Sequence, residues 1–206
     1  MGIIERKERE KEDLRKRILM AAKEVFLEKG YMNTSIRNIA DRIEYSPTTI
    51  YLYFKDKDAI FHALHLEGFY LLNNDMRVLQ HVEDPFERLI AMGRIYIDFA
   101  MKNYDLYDLM FLEKAPIDFI EADDLCWDEG QSAFNNLQST IRDCMEKGYF
   151  KFENVEVASF VIWSTLHGMC ALKTRSRCKV ISDENRADIV EKGFAGFSKM
   201  LRSIKT

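Results

Sequence analysis

The sequence predicts an all-α protein, because apolar residues recur at helical spacing, chain breakers are few, and no segment alternates as a strand does. Only three of the 206 residues are proline and nine are glycine, so long helices are permitted. The apolar fraction of 47% and the aromatic fraction of 12% are those of a folded globular chain. We therefore expect nine α-helices that share a continuous core.

The first three predicted helices lie near the N-terminus. The apolar residues of the first helix recur every three or four positions, at Leu14, Ile18, Ala21, Ala22, Val25 and Phe26. Gly30 is expected to end this helix, since glycine accepts the left-handed conformation that closes a helix. Thr34 is the expected N-cap of the second helix, and Ser46 with Pro47 opens the third after a tight turn.

Six further helices are expected in the rest of the chain. Short polar residues that suit helix N-caps precede four of them: Asp56, Asp84, Asn154 and Ser182. The pair Ala115–Pro116 breaks the chain, and a helix that begins near residue 122 is expected to end at Gly148. We expect a division into an N-terminal domain of residues 1–55 and a C-terminal domain of residues 56–206.

Three short helices with a tight turn between the last two have the geometry that places one helix in the major groove of DNA. The segment Ser46–Phe54 has side chains suited to this role. Hydroxyl groups that can reach base edges or phosphates gather at its start, in Ser46, Thr48 and Thr49. Ile50 can anchor the helix to the core, while Tyr51 and Tyr53 carry hydroxyls at its far end. Lys57 follows, where an ammonium group can meet a backbone phosphate.

Charge is distributed unevenly along the chain. The net charge of −4 argues against a protein that coats nucleic acid, yet the first 60 residues carry 13 lysines and arginines against 11 acidic residues. The remainder carries 17 against 23. Any phosphate-binding surface is therefore expected toward the N-terminus. Because glutamates alternate with the basic residues of segment 6–11, a solvated helix is favoured there over a DNA-contacting arm.

These segments resemble the DNA-binding domain of the TetR (tetracycline repressor) family. Residues 33–40 and 46–60 are similar to the family pattern T-x-x-x-I-A followed by T-x-Y-x-Y-F-x-x-K-x-x-L, and the resemblance covers about residues 12–62. It implies that bases are read by Arg37, Thr48 and Thr49. It also implies that phosphates are contacted mainly by Thr34, Tyr51, Tyr53 and Lys57.

The turn before the third helix departs from this pattern. Residues Ile43, Glu44 and Tyr45 stand where the family commonly has Ala-Gly-Val. Glu44 is therefore expected to take a left-handed backbone conformation that glycine accepts more readily.

The C-terminal two-thirds resembles the dimerisation and effector domains of the same family. Residues 163–168 are similar to a W-x-x-x-H-G signature found in some of these domains. The resemblance implies that the last two helices pair two subunits, and narrow apolar stripes on both helices agree with it. The residues expected at this interface are Phe160, Phe194, Phe197 and Leu201.

An effector cavity is expected among the aromatic residues of this domain. The candidates are Tyr96, Phe99, Tyr107, Phe111, Trp127, Phe134, Trp163 and His167. Such a lining favours a flat or apolar ligand with one or two hydrogen-bonding groups. Most of these side chains must nevertheless be plain core, and for His167 the alternative is a buried, hydrogen-bonded histidine.

No enzyme signature is present, since the chain lacks a Gly-rich phosphate loop, HExxH and GxSxG. We expect no catalytic residue, no cofactor and no metal; His62 and His65 are interpreted as ordinary helix residues. The four cysteines are expected to be reduced and mostly buried. The longest apolar stretch, about residues 158–163 and interrupted by Ser159, is shorter than the ~20 residues that cross a bilayer. We expect no secretion signal, because no apolar segment of signal-peptide length follows the charged first residues.

We therefore expect a cytoplasmic homodimer, with no membrane contact, that binds a near-palindromic operator in double-stranded DNA. A small, largely apolar or aromatic effector is expected to lower its DNA affinity, which would make it a repressor. The alternative is a similar DNA-binding protein that answers to a protein partner or acts architecturally, without a small-molecule effector.

Overall fold

The computed structural model describes residues 2–113 and 128–203, apart from the side chains of Ile3 and Asp128, and these residues form helices and no strand. The all-α prediction is confirmed. The helices are α1 Ile3–Lys29, α2 Ile36–Arg42, α3 Pro47–Tyr51, α4 Lys57–Met76, α5 Pro85–Lys102, α6 Tyr104–Phe111, α7 Asp128–Glu146, α8 Val155–Thr174, α9 Asp183–Arg186 and α10 Ile189–Ser203. Short 3₁₀ helices follow α4 at Arg77–His81 and α8 at Arg177–Val180.

The helix count differs from the nine α-helices expected. The described ranges contain ten α-helices and two 3₁₀ helices. The backbone leaves helical geometry at Asn103, with φ −119° and ψ 45°, and so separates α5 from α6. The last predicted helix is likewise two helices, because α9 ends at Arg186 and α10 begins at Ile189.

Most predicted caps form as expected, because each depends on residues close in sequence. Side-chain oxygens of Asp56, Asp84 and Asn154 accept hydrogen bonds from backbone N–H groups two or three residues later, at 2.7–2.9 Å. The Tyr149 hydroxyl also donates to Asp84 and holds the pKa of this carboxyl below its usual range. Ser182 precedes α9, but its side chain makes no capping hydrogen bond.

The chain divides into two compact units. The first contains residues up to Gly68 and the described residues from Asp105 to Glu113, and the second contains Phe69–Tyr104 and the described residues from 128 onward. The predicted boundary between residues 55 and 56 does not coincide with this division. The reason is that Ile60, Phe61 and Leu64 of α4 belong to the same buried cluster as the apolar face of α1.

In the second unit α5, α7 and α8 pack pairwise, and α10 lies against α8. Two arginines also hold α10 to α5. Arg94 of α5 pairs with Glu191 and lies 4.7 Å from the ring centre of Phe194. Arg202 of α10 pairs with Glu87 in the same way and covers the ring of Phe86. The last helix is therefore attached along its length to its own chain.

The described cysteines behave largely as expected. Cys144 and Cys170 are buried free thiols, and burial raises the pKa of each to about 12. Cys178 is partly exposed, and Cys126 lies outside the described residues. His65 is also buried, which lowers its pKa to about 4 and keeps it neutral at pH 7.

Gly93 permits a close approach between α5 and α10. A Cβ atom at this position would lie 2.7 Å from Cε2 of Phe194 and 3.1 Å from Cδ1 of Leu166. We expect Gly93→Ala to lower the free energy of unfolding by about 1–3 kcal/mol, because a packed ring and a second helix must both move. Chemical denaturation followed by circular dichroism measures this change.

Gly193→Ala is the matched control on α10. There the added Cβ would meet only the flexible end of Met169, with its sulfur at 3.3 Å, so the variant is expected to be neutral or slightly stabilising. Equal destabilisation by the two variants would contradict the close approach at Gly93.

Candidate functional site

The turn between α2 and α3 is fixed by backbone hydrogen bonds. The N–H of Tyr45 donates to the carbonyl of Ala40 at 3.0 Å, and the N–H of Glu44 donates to that of Asp41 at 3.3 Å. These are the two bonds of a Schellman helix end, in which the first residue beyond the helix end has a left-handed backbone conformation. Glu44 has φ 59°, so the expected left-handed conformation is confirmed. The turn therefore keeps a defined shape although it lacks glycine.

The start of α3 is capped as the sequence predicts. Oγ of Ser46 accepts the N–H of Thr49 at 3.2 Å and lies 2.9 Å from Oγ1 of Thr49. Pro47 occupies the first helical position, where no N–H donor is needed. Ile50 and Phe54 are buried, so they fix the orientation of this five-residue helix against the core.

The predicted DNA-reading residues differ in exposure. Arg37 on α2 is exposed, as are Ser46 and Thr48 at the start of α3, and 55% of Tyr51 is accessible to solvent. Thr49 and Tyr53 are half-buried, and the hydroxyl of Thr49 is engaged with Ser46. The exposed side chains form one candidate nucleic-acid interface along α2 and α3.

Thr34 does not belong to this exposed surface. The N-cap of α2 is Ser35, whose hydroxyl accepts the N–H of Asn38 at 3.2 Å, so the expectation that Thr34 caps this helix is wrong. Thr34 is 4% exposed, and its hydroxyl donates to the carbonyl of Gly30 at 2.9 Å. Its side chain secures the loop after α1 instead of facing solvent as a phosphate contact requires.

Lys57 is tied to the same loop. Its ammonium group donates to the carbonyl of Tyr31 at 3.0 Å and lies 4.2 Å from the centre of that ring. The Tyr31 hydroxyl in turn donates to Asp58. The first turn of α4 is therefore clamped to the loop between α1 and α2, and Lys57 is half-buried.

Ion pairs distinguish the two arginines of α2. Arg42 pairs with both Glu24 and Glu28 of α1, and the Arg42 hydrogen bond lowers the pKa of Glu28. Arg37 forms no ion pair with any described residue. Arg42 therefore holds α2 on α1, while Arg37 keeps its charge available. Sequence reasoning missed the Arg42 contacts because they join residues 14 and 18 positions apart.

In the second unit, four predicted pocket residues come together. The Tyr96 hydroxyl oxygen lies 3.0 Å from Nδ1 of His167 and accepts the indole N–H of Trp163 at 3.3 Å. The ring of Phe134 meets that of Trp163 edge to face at 6.1 Å between centres. Burial lowers the pKa of His167, which favours its neutral form. This cluster combines apolar rings with a small set of polar groups, as ligand sites do.

The other predicted pocket residues lie elsewhere. Tyr107 and Phe111 belong to the first unit, where their ring centres are 5.3 Å apart, and Trp127 lies outside the described residues. Phe99 is buried and lines a cleft of about 480 Å³ in the second unit. The cleft is more polar than expected, since its other lining residues are Asn74, Asp75, Val78, Ile95, Asp98, Lys102 and Asn103.

The residues expected at a subunit interface need correction. Phe194, Phe197 and Leu201 are buried within the single chain, so they cannot present an apolar stripe to a partner. Phe160 is 58% exposed. It shares one face of α8 with three other exposed apolar residues, Val157, Val161 and Leu172.

Helix α8 is long and apolar enough, by length and composition, to cross a membrane, although its apolar residues do not form one continuous run. Only 28% of its most apolar stretch is buried in the single chain. The exposed residues on this helix therefore form an uncovered apolar face, which we call the α8 face: Val157, Phe160, Val161 and Leu172.

Comparison with known proteins identifies related sequences. A family model described as "Bacterial regulatory proteins, tetR family" matches residues 18–64, and one described as "Tetracyclin repressor-like, C-terminal domain" matches residues 89–196. The second match alone spans more than half of the chain. The Escherichia coli K12 regulator UidR is 26% identical over 172 residues, which cover 79% of this chain and 82% of UidR. The Bacillus subtilis regulator YvkB is 26% identical over 168 residues, 81% of this chain and 86% of YvkB.

Solved structures share the fold. The fatty acid degradation regulator FadR from Bacillus halodurans has a TM-score of 0.70 and 23% identity, covering 88% of this chain and 92% of FadR. The TetR family regulator PfmR from Thermus thermophilus has a TM-score of 0.66 and 22% identity, covering 91% of this chain and 97% of PfmR. At these identities the likeness shows the fold alone.

The left-handed Glu44 has a measurable cost. A residue with a Cβ atom is strained at φ 59°, whereas glycine is not, so we expect Glu44→Gly to raise the free energy of unfolding by about 0.5–1 kcal/mol. Glu44→Ala removes the carboxylate but keeps the strain, and it is expected to give no such gain. Urea denaturation of both variants makes the comparison, and a gain for alanine equal to that for glycine would assign the effect to charge.

Proposed function

The chain belongs to the TetR family of bacterial transcriptional regulators, and we propose that it acts as a homodimeric repressor on a near-palindromic operator. It is a DNA-binding regulator and not an enzyme. The observation that carries the proposal is the exposed start of α3, where hydroxyl groups stand on a helix anchored by Ile50 and Phe54. Such a helix can enter the major groove while its buried side keeps it in place.

The proposed roles follow from exposure and partners. Arg37 and Thr48 read base edges, since both are exposed and neither forms a side-chain hydrogen bond with a described residue. Tyr51 contacts phosphate. Thr49 acts through the Ser46 cap, and its half-buried hydroxyl reaches DNA only at the edge of the interface.

Two further residues of the first unit have supporting roles in the proposal. Tyr53 and Lys57 add phosphate contacts from half-buried positions. Thr34 positions the loop after α1 through its bond to Gly30 and makes no direct phosphate contact. Each phosphate that a lysine or arginine of the dimer neutralises makes the slope of the logarithm of the binding constant against that of salt more negative by about 0.9.

The homodimer is proposed because one three-helix reader offers too few base contacts for tight binding. A second copy of this chain is the proposed cover for the α8 face, since a helix apolar on its exposed side excludes water by pairing with an equivalent helix. One side of α8 then packs within its own chain and the exposed side packs against the partner chain. We also propose that the protein works in the cytoplasm without membrane contact.

The proposed effector is a flat or apolar molecule with one or two hydrogen-bonding groups, bound at the cluster of Tyr96, Phe134, Trp163 and His167. Helix α4 is the proposed route to the DNA-binding residues, because its first residues belong to one unit and its last to the other. A tilt of this helix would change the distance between the two DNA-binding units of the dimer. An effector shifts the dimer between two such distances only by its differential affinity for them. Isothermal titration with candidate ligands, repeated with His167→Ala, tests this assignment.

Substitutions of Arg37 and Tyr51 are expected to change DNA binding in different ways. On duplexes selected from a random pool, Arg37→Ala is expected to relax preference at one base position and to cost about 1–3 kcal/mol on the preferred sequence. Tyr51→Ala is expected to weaken binding on all sequences alike, because a phosphate contact carries no sequence information. Fluorescence anisotropy on a set of single-base variants of the selected duplex measures both.

Val180→Ala is the control, since this residue is highly exposed and lies in the second unit. It is expected to bind as the wild type does. Equal sequence dependence for Arg37→Ala and Tyr51→Ala would contradict the proposed division between base reading and phosphate contact.

Phe160 is expected to be essential for subunit pairing. Phe160→Arg places a charge in the α8 face, where pairing would bury it without a partner, so the variant is expected to sediment as a monomer at micromolar concentration. Circular dichroism should remain that of a folded helical chain, because the residue is exposed within one chain.

Val180→Arg introduces the same charge outside α8 and is expected to remain a dimer. A Phe160→Arg protein that sediments as a dimer with wild-type affinity for DNA would exclude this face as the interface.

A further inference from the structure

The basic side chains of the first unit differ in what they contact. Arg42 is held by Glu24 and Glu28, and Arg6 pairs with Glu10 within α1. Arg17 is different. It is exposed, and among the residues that the structure describes it forms no ion pair. Its guanidinium carbon instead lies 5.4 Å from the centre of the Tyr45 ring.

Tyr45 is fixed at the entrance to α3. Its N–H closes the end of α2 on the carbonyl of Ala40, and the next residue, Ser46, caps α3. The ring is 38% exposed, so it forms part of the surface and not of the core. A guanidinium that rests on this ring is therefore held beside the start of the helix that carries Thr48.

Contact with an aromatic ring does not by itself place the charge of an arginine at the protein surface, as Arg15 shows. Its guanidinium lies 5.3 Å from the ring centre of Phe54, but Phe54 is buried and Arg15 is half-buried. That arginine covers the apolar core behind α3. Arg17 covers an exposed ring, so its contact removes little apolar surface from water and leaves the charge at the surface.

We propose that Arg17, positioned by Tyr45, binds a phosphate of the DNA backbone next to the start of α3. The inference deepens the proposed function and rests on it, since it adds a contact from α1 to the interface of α2 and α3. Chemistry favours arginine here, because a guanidinium can stack on an aromatic face and still direct several N–H donors in its plane toward phosphate oxygens. The ring limits the rotamers of Arg17 and so reduces the entropy lost on binding.

The test measures affinity for duplex DNA against salt. The full-length protein is titrated into two fluorescein-labelled duplexes of about 30 base pairs, one of random sequence and one selected by binding, at several potassium chloride concentrations. Arg17→Ala is expected to lower affinity about tenfold on both duplexes. It is also expected to reduce the salt slope by about 2, because each dimer loses two phosphate contacts at about 0.9 each.

Conservative variants separate charge from positioning. Arg17→Lys keeps the charge and is expected to retain most of the salt slope while losing part of the affinity. Tyr45→Phe keeps the ring and is expected to bind as the wild type does, whereas Tyr45→Ala is expected to lose about threefold in affinity on both duplexes. Lys16→Ala removes an exposed charge from the neighbouring position of α1 and is expected to change the slope by less than about 0.5.

Two results would overturn the inference. Wild-type affinity and slope for Arg17→Ala, with Arg37→Ala still losing sequence preference, would show that the regulator reads DNA without Arg17. Loss of affinity confined to the selected duplex would show that Arg17 reads a base and does not bind phosphate. A wild-type protein that binds neither duplex would instead defeat the proposed function, so the two failures are distinguishable.

Discussion

A helix of five residues does not hold its shape in water, because helix formation has a costly nucleus that short segments do not repay. Helix α3 therefore depends on burial of Ile50 and Phe54 in the core that α1, α2 and the first turns of α4 share. The Ser46 cap and the Schellman turn at Glu44 set where the helix begins. All the proposed DNA contacts stand on this small anchored element and its neighbours, which the Arg42 and Lys57 clamps keep in register.

Packing in the second unit depends on a different set of contacts, those that attach the last helix to its own chain. Arg94 and Arg202 each combine an ion pair with a ring contact, and Gly93 lets the ring of Phe194 approach α5 closely. Because this packing uses the apolar stripe of α10, most exposed large apolar residues of these two helices lie on α8, and Met200 is the one on α10. The same helix carries Trp163 and His167, three and seven residues after Phe160, so they lie next to the exposed face. Pairing and ligand binding are therefore proposed for adjacent faces of one helix.

Features that depend on nearby residues could be predicted from the sequence. The caps at Ser46, Asp84 and Asn154 and the left-handed Glu44 are local, and the structure has them as predicted. The cap of α2 was misplaced by one residue, since adjacent Thr34 and Ser35 are both good caps and only the fold buries Thr34.

Features that depend on distant residues could not be predicted. An apolar stripe looks the same whether it packs in the chain or against a second chain, which is why the sequence alone predicts Phe194, Phe197 and Leu201 at an interface. The pairing of Arg42 with Glu24 and Glu28, and of Arg17 with Tyr45, joins residues far apart in sequence, and helical periodicity alone does not indicate such contacts. Among the proposed effector residues, the sequence named the four that meet but did not separate them from Tyr107 and Phe111 in the other unit.

The most direct measurement places a photo-reactive amino acid at position 48 and maps its cross-links on a selected duplex, with position 180 as the control. If the start of α3 enters the major groove in a symmetric pair, cross-links from position 48 appear on both strands, at two positions about one helical turn (~10 base pairs) apart or slightly more. No cross-link from a protein that binds the duplex, or the same cross-links from position 180, would contradict the account.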